Sequence, residues 1–253
     1  MTDDLLPTAH FRSLRKLEGV YWWHLTRLAV SRSLLRPCRL HYPAVLDLGC
    51  GTGAFLETLG NDLEASRTVG VDASKTALEY LEERHIEHLD ADLGTPLAVC
   101  ENGFQLVTAM DVLEHLPHPE NLVNTAWINL APGGFFLASV PAHPFLYSDW
   151  DRMLHHVCRF TKKALKDLVT TQNFAIRRLT HAFFAPFFPA VALRKRRAKS
   201  PDTREEFPPI PDWLNRMLLI EGRMEASWLR FASLPTGLSL YILAQKPSVS
   251  ATS

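Results

Sequence analysis

The segment Val45-Leu46-Asp47-Leu48-Gly49-Cys50-Gly51-Thr52-Gly53 sets an acidic residue two positions ahead of three glycines at alternate positions. Alternating glycines let a chain bend sharply and bring a ligand against main-chain N–H groups at a helix start, with no Cβ in the way. The apolar run ending at Leu48 reads as a buried strand and the residues from Ala54 onward as a helix, so the turn lies where open parallel sheets bind nucleotide-type ligands. Gly49-x-Gly51-x-x-Ala54 also fits a dinucleotide fingerprint, with Asp72 as the ribose partner in either case. Asp47 separates the two: a carboxylate repels a pyrophosphate and attracts an ammonium group. A cationic ligand is therefore favoured, and an NAD-dependent oxidoreductase is the competing reading.

A second reactive group lies between residues 143 and 160. Adjacent His155 and His156, with Asp149, Asp151, Arg152 and Arg159 around them, make a dense titratable cluster, and an imidazole accepts a proton near neutral pH. One of the two histidines is expected to act as a general base; the competing role is to hold a long loop in place. Asp111, Glu114, His115 and His118 could be drawn together as metal ligands, but two of their spacings merely follow a helical turn, so no metal site is expected. The cysteines Cys38, Cys50, Cys100 and Cys158 contain no close-spaced pair and read as free thiols of a reducing compartment.

Seven short apolar runs must position these groups: 44–48, 68–71, 86–89, 104–110, 134–140, 174–179 and 238–244. Helical segments alternate with the first six, the pattern of a parallel sheet wrapped by helices. Ser74 and Thr161 are placed to cap helices, and Pro132-Gly133-Gly134 to end one. The last run lacks a helix of its own type before it and is expected to pair antiparallel with the sixth. Residues 10–35 carry apolar positions at helical intervals, and Tyr21-Trp22-Trp23-His24 is too aromatic to lie on one stripe, so part of it faces something besides its own core. Between residues 180 and 234 lies an insertion, apolar over 182–193, basic over 194–199, and helical from Trp213 to Phe231. The apolar stretch is too short to span a bilayer; beside a basic run it suits the interface of an anionic membrane, or else the wall of an acceptor pocket or a dimer contact. The later apolar positions, including Met217, Met224, Trp228 and Phe231, are expected to be core.

At 253 residues, 47% hydrophobic and 21% charged, the chain has enough apolar surface to fold as one large domain. Its 27 basic and 27 acidic residues cancel, which argues against a nucleic-acid partner. The acidic residues near Met1, where a signal peptide would be basic, favour a cytoplasmic protein, with peripheral membrane contact through 182–199 as the exception to be tested.

Asp47-x-Gly49-x-Gly51-x-Gly53, Asp72, Asp90-Ala91-Asp92, Met110-Asp111-Val112-Leu113-Glu114-His115-Leu116 and Pro132-Gly133-Gly134 together resemble the class I S-adenosylmethionine-dependent methyltransferases, the ubiquinone-type branch above all, over about residues 44–140. The resemblance implies a Rossmann-like α/β fold: a mostly parallel seven-stranded sheet with an antiparallel last strand, a helical lid over 1–42, and a methyltransferase domain over 43–253 with the helical insertion before the last strand. It implies S-adenosylmethionine as cofactor, held at its methionyl end by Asp47, Gly49, Gly51 and Gly53. By the same resemblance Asp72 takes the ribose hydroxyls, Ala73 packs on the adenine, Asp92 meets the adenine amino group and Leu93 lies beside the ring. Met110 and Asp111 fall at the cofactor's midpoint and His115 near its carboxylate. The implied reaction is methyl transfer to a small-molecule or lipid-linked acceptor, oxygen being favoured; a cofactor-binding scaffold without catalysis is the remaining alternative.

Replacing Asp47 by alanine is expected to weaken S-adenosylmethionine binding by roughly 1.5–3 kcal/mol, the scale of a lost charge-assisted hydrogen bond. Titration calorimetry checks this, and an unchanged affinity would refute the role given to Asp47.

Overall fold

Valine and leucine runs with no polar alternation form strands buried on both faces, and that is how the centre of the sheet is built. In this computed structural model, which describes residues 8–41, 43–196 and 209–248, the strands are β1 (Ala44–Leu48), β2 (Arg67–Asp72), β3 (Glu87–Asp90), β4 (Phe104–Met110), β5 (Leu130–Pro141), β6 (Ala175–Ala182) and β7 (Ser239–Gln245). They make one sheet in the order β3-β2-β1-β4-β5-β7-β6. The first five pair in parallel, and β7 runs antiparallel between β5 and β6. In β1, Val45, Leu46 and Leu48 are fully buried, whereas the edge strand β3 exposes Glu87, Leu89 and Asp90. Charge on an edge strand blunts further pairing.

Nine α-helices surround the sheet among the described residues: α1 (Thr8–Leu17), α2 (Trp22–Leu35), α3 (Ala54–Asp62), α4 (Lys75–Glu83), α5 (Pro119–Asn129), α6 (Asp149–Met153), α7 (Lys162–Thr170), α8 (Phe184–Arg196) and α9 (Asp212–Trp228). Ser74 Oγ accepts the Ala77 N–H at the start of α4, and Thr161 Oγ1 accepts the Ala164 N–H at the start of α7, as their positions predict. Leu122, Val123 and Ala126 of α5 with Leu165 and Val169 of α7 fill one face of the sheet. Val30 and Leu34 of α2, Leu56 and Leu59 of α3, and Ala226 of α9 fill the other.

Three expectations need correction. Pro132-Gly133-Gly134 does not end the preceding helix but runs inside β5, where Gly133 takes φ 82° and the pairing with β4 shifts register between Phe104 and Leu106. The sixth strand extends to Ala182, so the insertion starts later than residue 180. Met217, Met224, Trp228 and Phe231 are exposed rather than core, because α9 turns its small residues inward instead. Gly222 meets α2 so closely that a Cβ there would lie 2.2 Å from Thr26 Oγ1. Asn215 fastens the same pair: its Oδ1 accepts the Trp22 N–H at 2.9 Å and its Nδ2 donates to the Val20 carbonyl at 2.8 Å.

Glu225 ties α8 to α9. Its carboxylate accepts the Phe183 and Phe184 N–H groups at 2.6 and 2.7 Å, and burial pushes its carboxyl up to about 7 against the pull of those two donors. No helix among the described residues is long and apolar enough to cross a membrane. Of the basic run 194–199, residues 197–199 lie outside the described residues.

Gly222→Ala is expected to destabilise the protein by about 1–3 kcal/mol, the usual penalty for overpacking a tight helix contact. Urea unfolding followed by circular dichroism measures it, and an unaltered midpoint would contradict the close approach of α2 and α9.

Candidate active site

The glycine turn after β1 adopts left-handed backbone at Gly49, Gly51 and Gly53, with φ of 73°, 54° and 76°. Only glycine takes these angles without strain. A Cβ on Gly49 would fall 2.6 Å from Val112 Cγ2, while one on Gly51 would meet nothing within 4 Å, because that position opens onto the crevice. Gly49 and Cys50 donate their N–H groups to the Val71 carbonyl, pinning the turn to the end of β2. Asp72 completes the anchorage, its Oδ2 accepting the Gly51 N–H and its Oδ1 the Ser74 N–H, both at 2.9 Å. The turn between α1 and α2 is bound to the same place. Glu18 accepts Thr52 Oγ1 at 2.5 Å and pairs with Arg84, which also pairs with Glu57 and donates to the Thr52 carbonyl.

Asp47, 2% exposed, receives a hydrogen bond from Thr108 Oγ1 at 2.6 Å. Burial pushes its carboxyl up to about 7, with Thr108 and the positive charge of Arg27 pulling the other way. Arg27, on α2, was not singled out from the sequence. Its Nη1 lies 3.5 Å from Asp111 Oδ2, and its Nε is buried without a hydrogen-bond partner. Its guanidinium stands over the Phe55 ring. The sequence signal was slight: one basic residue a single helical turn past the aromatic group. Asp111 is itself left-handed, φ 58°, and accepts Ser139 Oγ at 2.9 Å.

Ala73, Asp92, Leu93, Met110, Asp111 and His115 line the same crevice as Asp47, Asp72, Gly49 and Gly51, whereas Gly53 is not part of that lining and a Cβ there would meet Leu81 and Ile86. Asp92 Oδ1 accepts the Gly94 N–H at 2.8 Å, so this residue also shapes its own turn. The aromatic group at the start of α2 lines the crevice too, and Trp23 stacks on Phe183 with ring centroids 4.0 Å apart. The cavity, about 1600 Å³, exceeds the roughly 300–1,000 Å³ of a site for one small ligand and leaves room for two.

At the far side of the crevice the two loop histidines part company. His155 has φ 57° and an exposed side chain outside the crevice; His156 lines it. His156 Nδ1 is 3.2 Å from Asp151 Oδ1. Asp151 is fully buried and accepts Arg159 Nε at 2.6 Å and the Ser148 N–H and hydroxyl, closing a capping box on α6. A carboxylate so placed accepts the His156 Nδ1–H and leaves the lone pair on Nε2. The His115 ring stands edge-on to His156 with centroids 4.8 Å apart, and burial, followed by the charge of His156, lowers its pKa to about 4. Glu114, fully buried with neither oxygen hydrogen-bonded, is pushed well above the carboxylate range by burial.

Of the metal set weighed from spacing, His118 is exposed and pairs with Glu120. Glu114, His115 and His156 form a different group, with ligand atoms up to 4.8 Å apart. Ligands sharing one ion through bonds of ~2.1 Å stand roughly 3–3.5 Å apart, so this group would have to contract to hold one.

A sheet of this order, with a glycine turn and acidic strand ends at one crevice, defines the Rossmann-like class of nucleotide-cofactor domains. A family described as "Methyltransferase domain" matches residues 22–179. The chain belongs to that family. It is 27% identical over 141 residues to a ubiquinone biosynthesis O-methyltransferase of Chromobacterium violaceum, an alignment covering 47% of this chain and 58% of the relative. The chain thus spans little more than half the length of that relative. Among solved structures it is similar to an S-adenosylmethionine-dependent methyltransferase of Mesorhizobium loti (TM-score 0.56, 18% identity, covering 84% of this chain and 97% of that one). It is similar also to one of Archaeoglobus fulgidus (TM-score 0.57, 17% identity, 93% and 99%).

S-adenosylmethionine is the cofactor of this class, and the crevice fits it. Its ammonium needs a buried acceptor, a group of the kind Asp47 would supply; its carboxylate needs a cation, and the Arg27 guanidinium, its Nε unpartnered, lies beside Asp111 and within charge reach of Asp47. The open side of Gly51 gives its body room. These features decide against the dinucleotide reading.

Because folded Asp47 holds its proton up to about pH 7 and an unfolded aspartate only to about 3.8, the proton binds the folded state more tightly. Without ligand, stability should therefore fall as pH rises from about 4 to 7 and level off above. Asp47→Asn should remove that fall, gaining on the order of 1–3 kcal/mol over wild type at pH 8 while binding the cofactor less well. Denaturant unfolding at a series of pH values measures the difference; parallel curves for the two proteins would show that Asp47 is not desolvated.

Proposed function

We propose that this chain methylates an oxygen on a small or lipid-linked acceptor, with His156 as the base that takes the acceptor's proton. The observation that carries this reading is the Asp151–His156 pair, buried on one side and open to the crevice on the other. The relatives named as O-methyltransferases of ubiquinone biosynthesis support oxygen as the accepting atom and a lipid-borne substrate.

Bound S-adenosylmethionine supplies a methyl group made electrophilic by its sulfonium. Asp47 holds the methionyl ammonium, the turn of Gly49, Gly51 and Gly53 leaves room for the methionyl end beside it, and Arg27 holds its carboxylate. Asp72 orients the ribose, while Ala73, Asp92 and Leu93 position the adenine. Met110, Asp111 and His115 line the crevice, where His115, uncharged at neutral pH, would add no positive charge to repel a sulfonium cofactor. The helices α1 and α2, clamped through Glu18 and Arg84, close the cofactor end as a lid over the domain that follows.

The protein's task at the acceptor is alignment and proton removal. The acceptor hydroxyl gives its proton to His156 Nε2, and Asp151, held in place by its ion pair with Arg159, stabilises the imidazolium that forms. Apolar walls from Trp22, Leu146, Val191 and Leu218 suit a hydrophobic acceptor body and exclude water from the transfer.

His156→Ala is expected to lower kcat by about 10²–10⁴-fold, the range of a lost general base, with cofactor affinity unchanged, and His155→Ala to leave kcat within twofold. Turnover is read by mass spectrometry of lipid and metabolite extracts incubated with deuterated-methyl cofactor. Full activity in His156→Ala would remove the base from this scheme, and absence of labelled product from every extract would favour a scaffold.

A further inference from the structure

α9 has two apolar faces, and only one of them has a partner among the described residues. Leu218, Gly222 and Ala226 turn toward the crevice and α2. On the outer face, Trp213, Met217, Ile220, Met224 and Trp228, followed by Phe231 just past the helix end, are spaced by three or four residues and are each 58% to 84% exposed. At 100° per residue these positions stay within roughly 80° of arc, a continuous stripe along the whole helix. Single exposed apolar side chains need no explanation; an unbroken stripe of six large ones does.

Charge runs beside the stripe. Arg216, Arg223 and Arg230 recur every seven residues, which places them in a column along one border. All three are exposed, and none forms an ion pair among the described residues. On the other border Glu221 is half-buried and turned toward the Ala185 N–H, and the arginine column includes one exposed acid, Asp212, so it carries a net excess of two positive charges. Tryptophans stand in the first and last turns of the helix, at Trp213 and Trp228, and a tryptophan ring suits the boundary between headgroups and acyl chains. α8, held to α9 by Glu225, exposes Phe188 and Leu193 and contributes Val191 and Leu193 to the crevice lining.

We propose that the outer face of α9 docks on an anionic lipid bilayer, its apolar stripe entering the headgroup boundary and its arginine column resting on lipid phosphates. A bilayer supplies both complements at once, a continuous apolar layer and a plane of negative charge above it. Docking on that face brings the α8–α9 wall of the crevice to the membrane, where an acceptor with an apolar tail resides. The route taken by the acceptor rests on the function proposed above; the docking itself does not.

The test is vesicle flotation of the full chain with phosphatidylcholine alone and with phosphatidylcholine containing 30% phosphatidylglycerol. The wild type should float with the anionic vesicles and be released by 0.5 M salt, and Met224→Asp with Trp228→Asp should reduce bound protein at least tenfold. Both side chains are exposed, so the variant should keep its fold, read as unchanged calorimetric affinity for S-adenosylhomocysteine; Arg216→Glu with Arg223→Glu gives a second variant that leaves the stripe intact and should also lose binding. A wild type that stays out of the vesicle fraction overturns the proposal, as does a variant that floats like the wild type. A wild-type dimer that the Met224→Asp, Trp228→Asp variant converts to monomer, with no flotation, assigns the face to a second copy and overturns it too. Cofactor affinity measured on the same samples separates this failure from failure of the methyltransferase reading.

Discussion

A carboxylate sealed at the end of a parallel strand is a poor anion until a cation joins it, and Asp47 is held in that condition by the sheet. β1 lies between β2 and β4, so Asp47 cannot turn to water, and among the described residues its side-chain donor is the Thr108 hydroxyl. The glycine turn, the Glu18–Arg84 clasp and the placement of Arg27 all serve the space in front of that carboxylate. A ligand with an ammonium and a carboxylate on one carbon matches Asp47 and Arg27 together, which neither half of the pair would select alone.

The acceptor end follows the opposite logic. There the charges are already matched: Asp151 is compensated by Arg159 and by the Ser148 donors before it meets His156. The imidazole is left with one committed nitrogen and one available. A buried, fully satisfied anion behind a histidine fixes its tautomer and ring plane without competing for substrate. Asp47 and His156 thus line one crevice in opposite electrostatic settings: Asp47 has its carboxyl raised by burial, whereas Asp151, behind His156, is already paired.

Much of this was legible in the residues. The seven strands, the glycine turn and the acidic strand ends could be read because apolar run length, glycine spacing and strand-end carboxylates are local signals. What escaped was whatever depends on direction. The apolar period of α9 was visible, but a period defines a face and not what lies opposite it, and Gly222 rather than Met224 or Trp228 turned out to face inward. His155 and His156 are indistinguishable by type; the left-handed backbone at His155 is what sends one side chain into solvent and the other into the crevice. Arg27 was one of many basic residues in its segment, and its value comes from Asp111 and Asp47, which are distant in sequence. The insertion's apolar start proved to serve the crevice wall in part, through Pro186, Val191 and Leu193.

The position of β7 has a consequence for how the molecule is made. It is the last strand in chain order among the described residues, yet it lies between β5 and β6. During synthesis the cofactor half, from β3 to β5, can assemble with strands already released, while β5 presents a bare hydrogen-bonding edge and β6 waits without a neighbour. For the time taken to translate roughly a hundred further residues that edge is a template for pairing with other nascent chains. A chain ending before Ser239 would therefore keep its ligand cradle while leaving the β5 edge open to pairing with other chains.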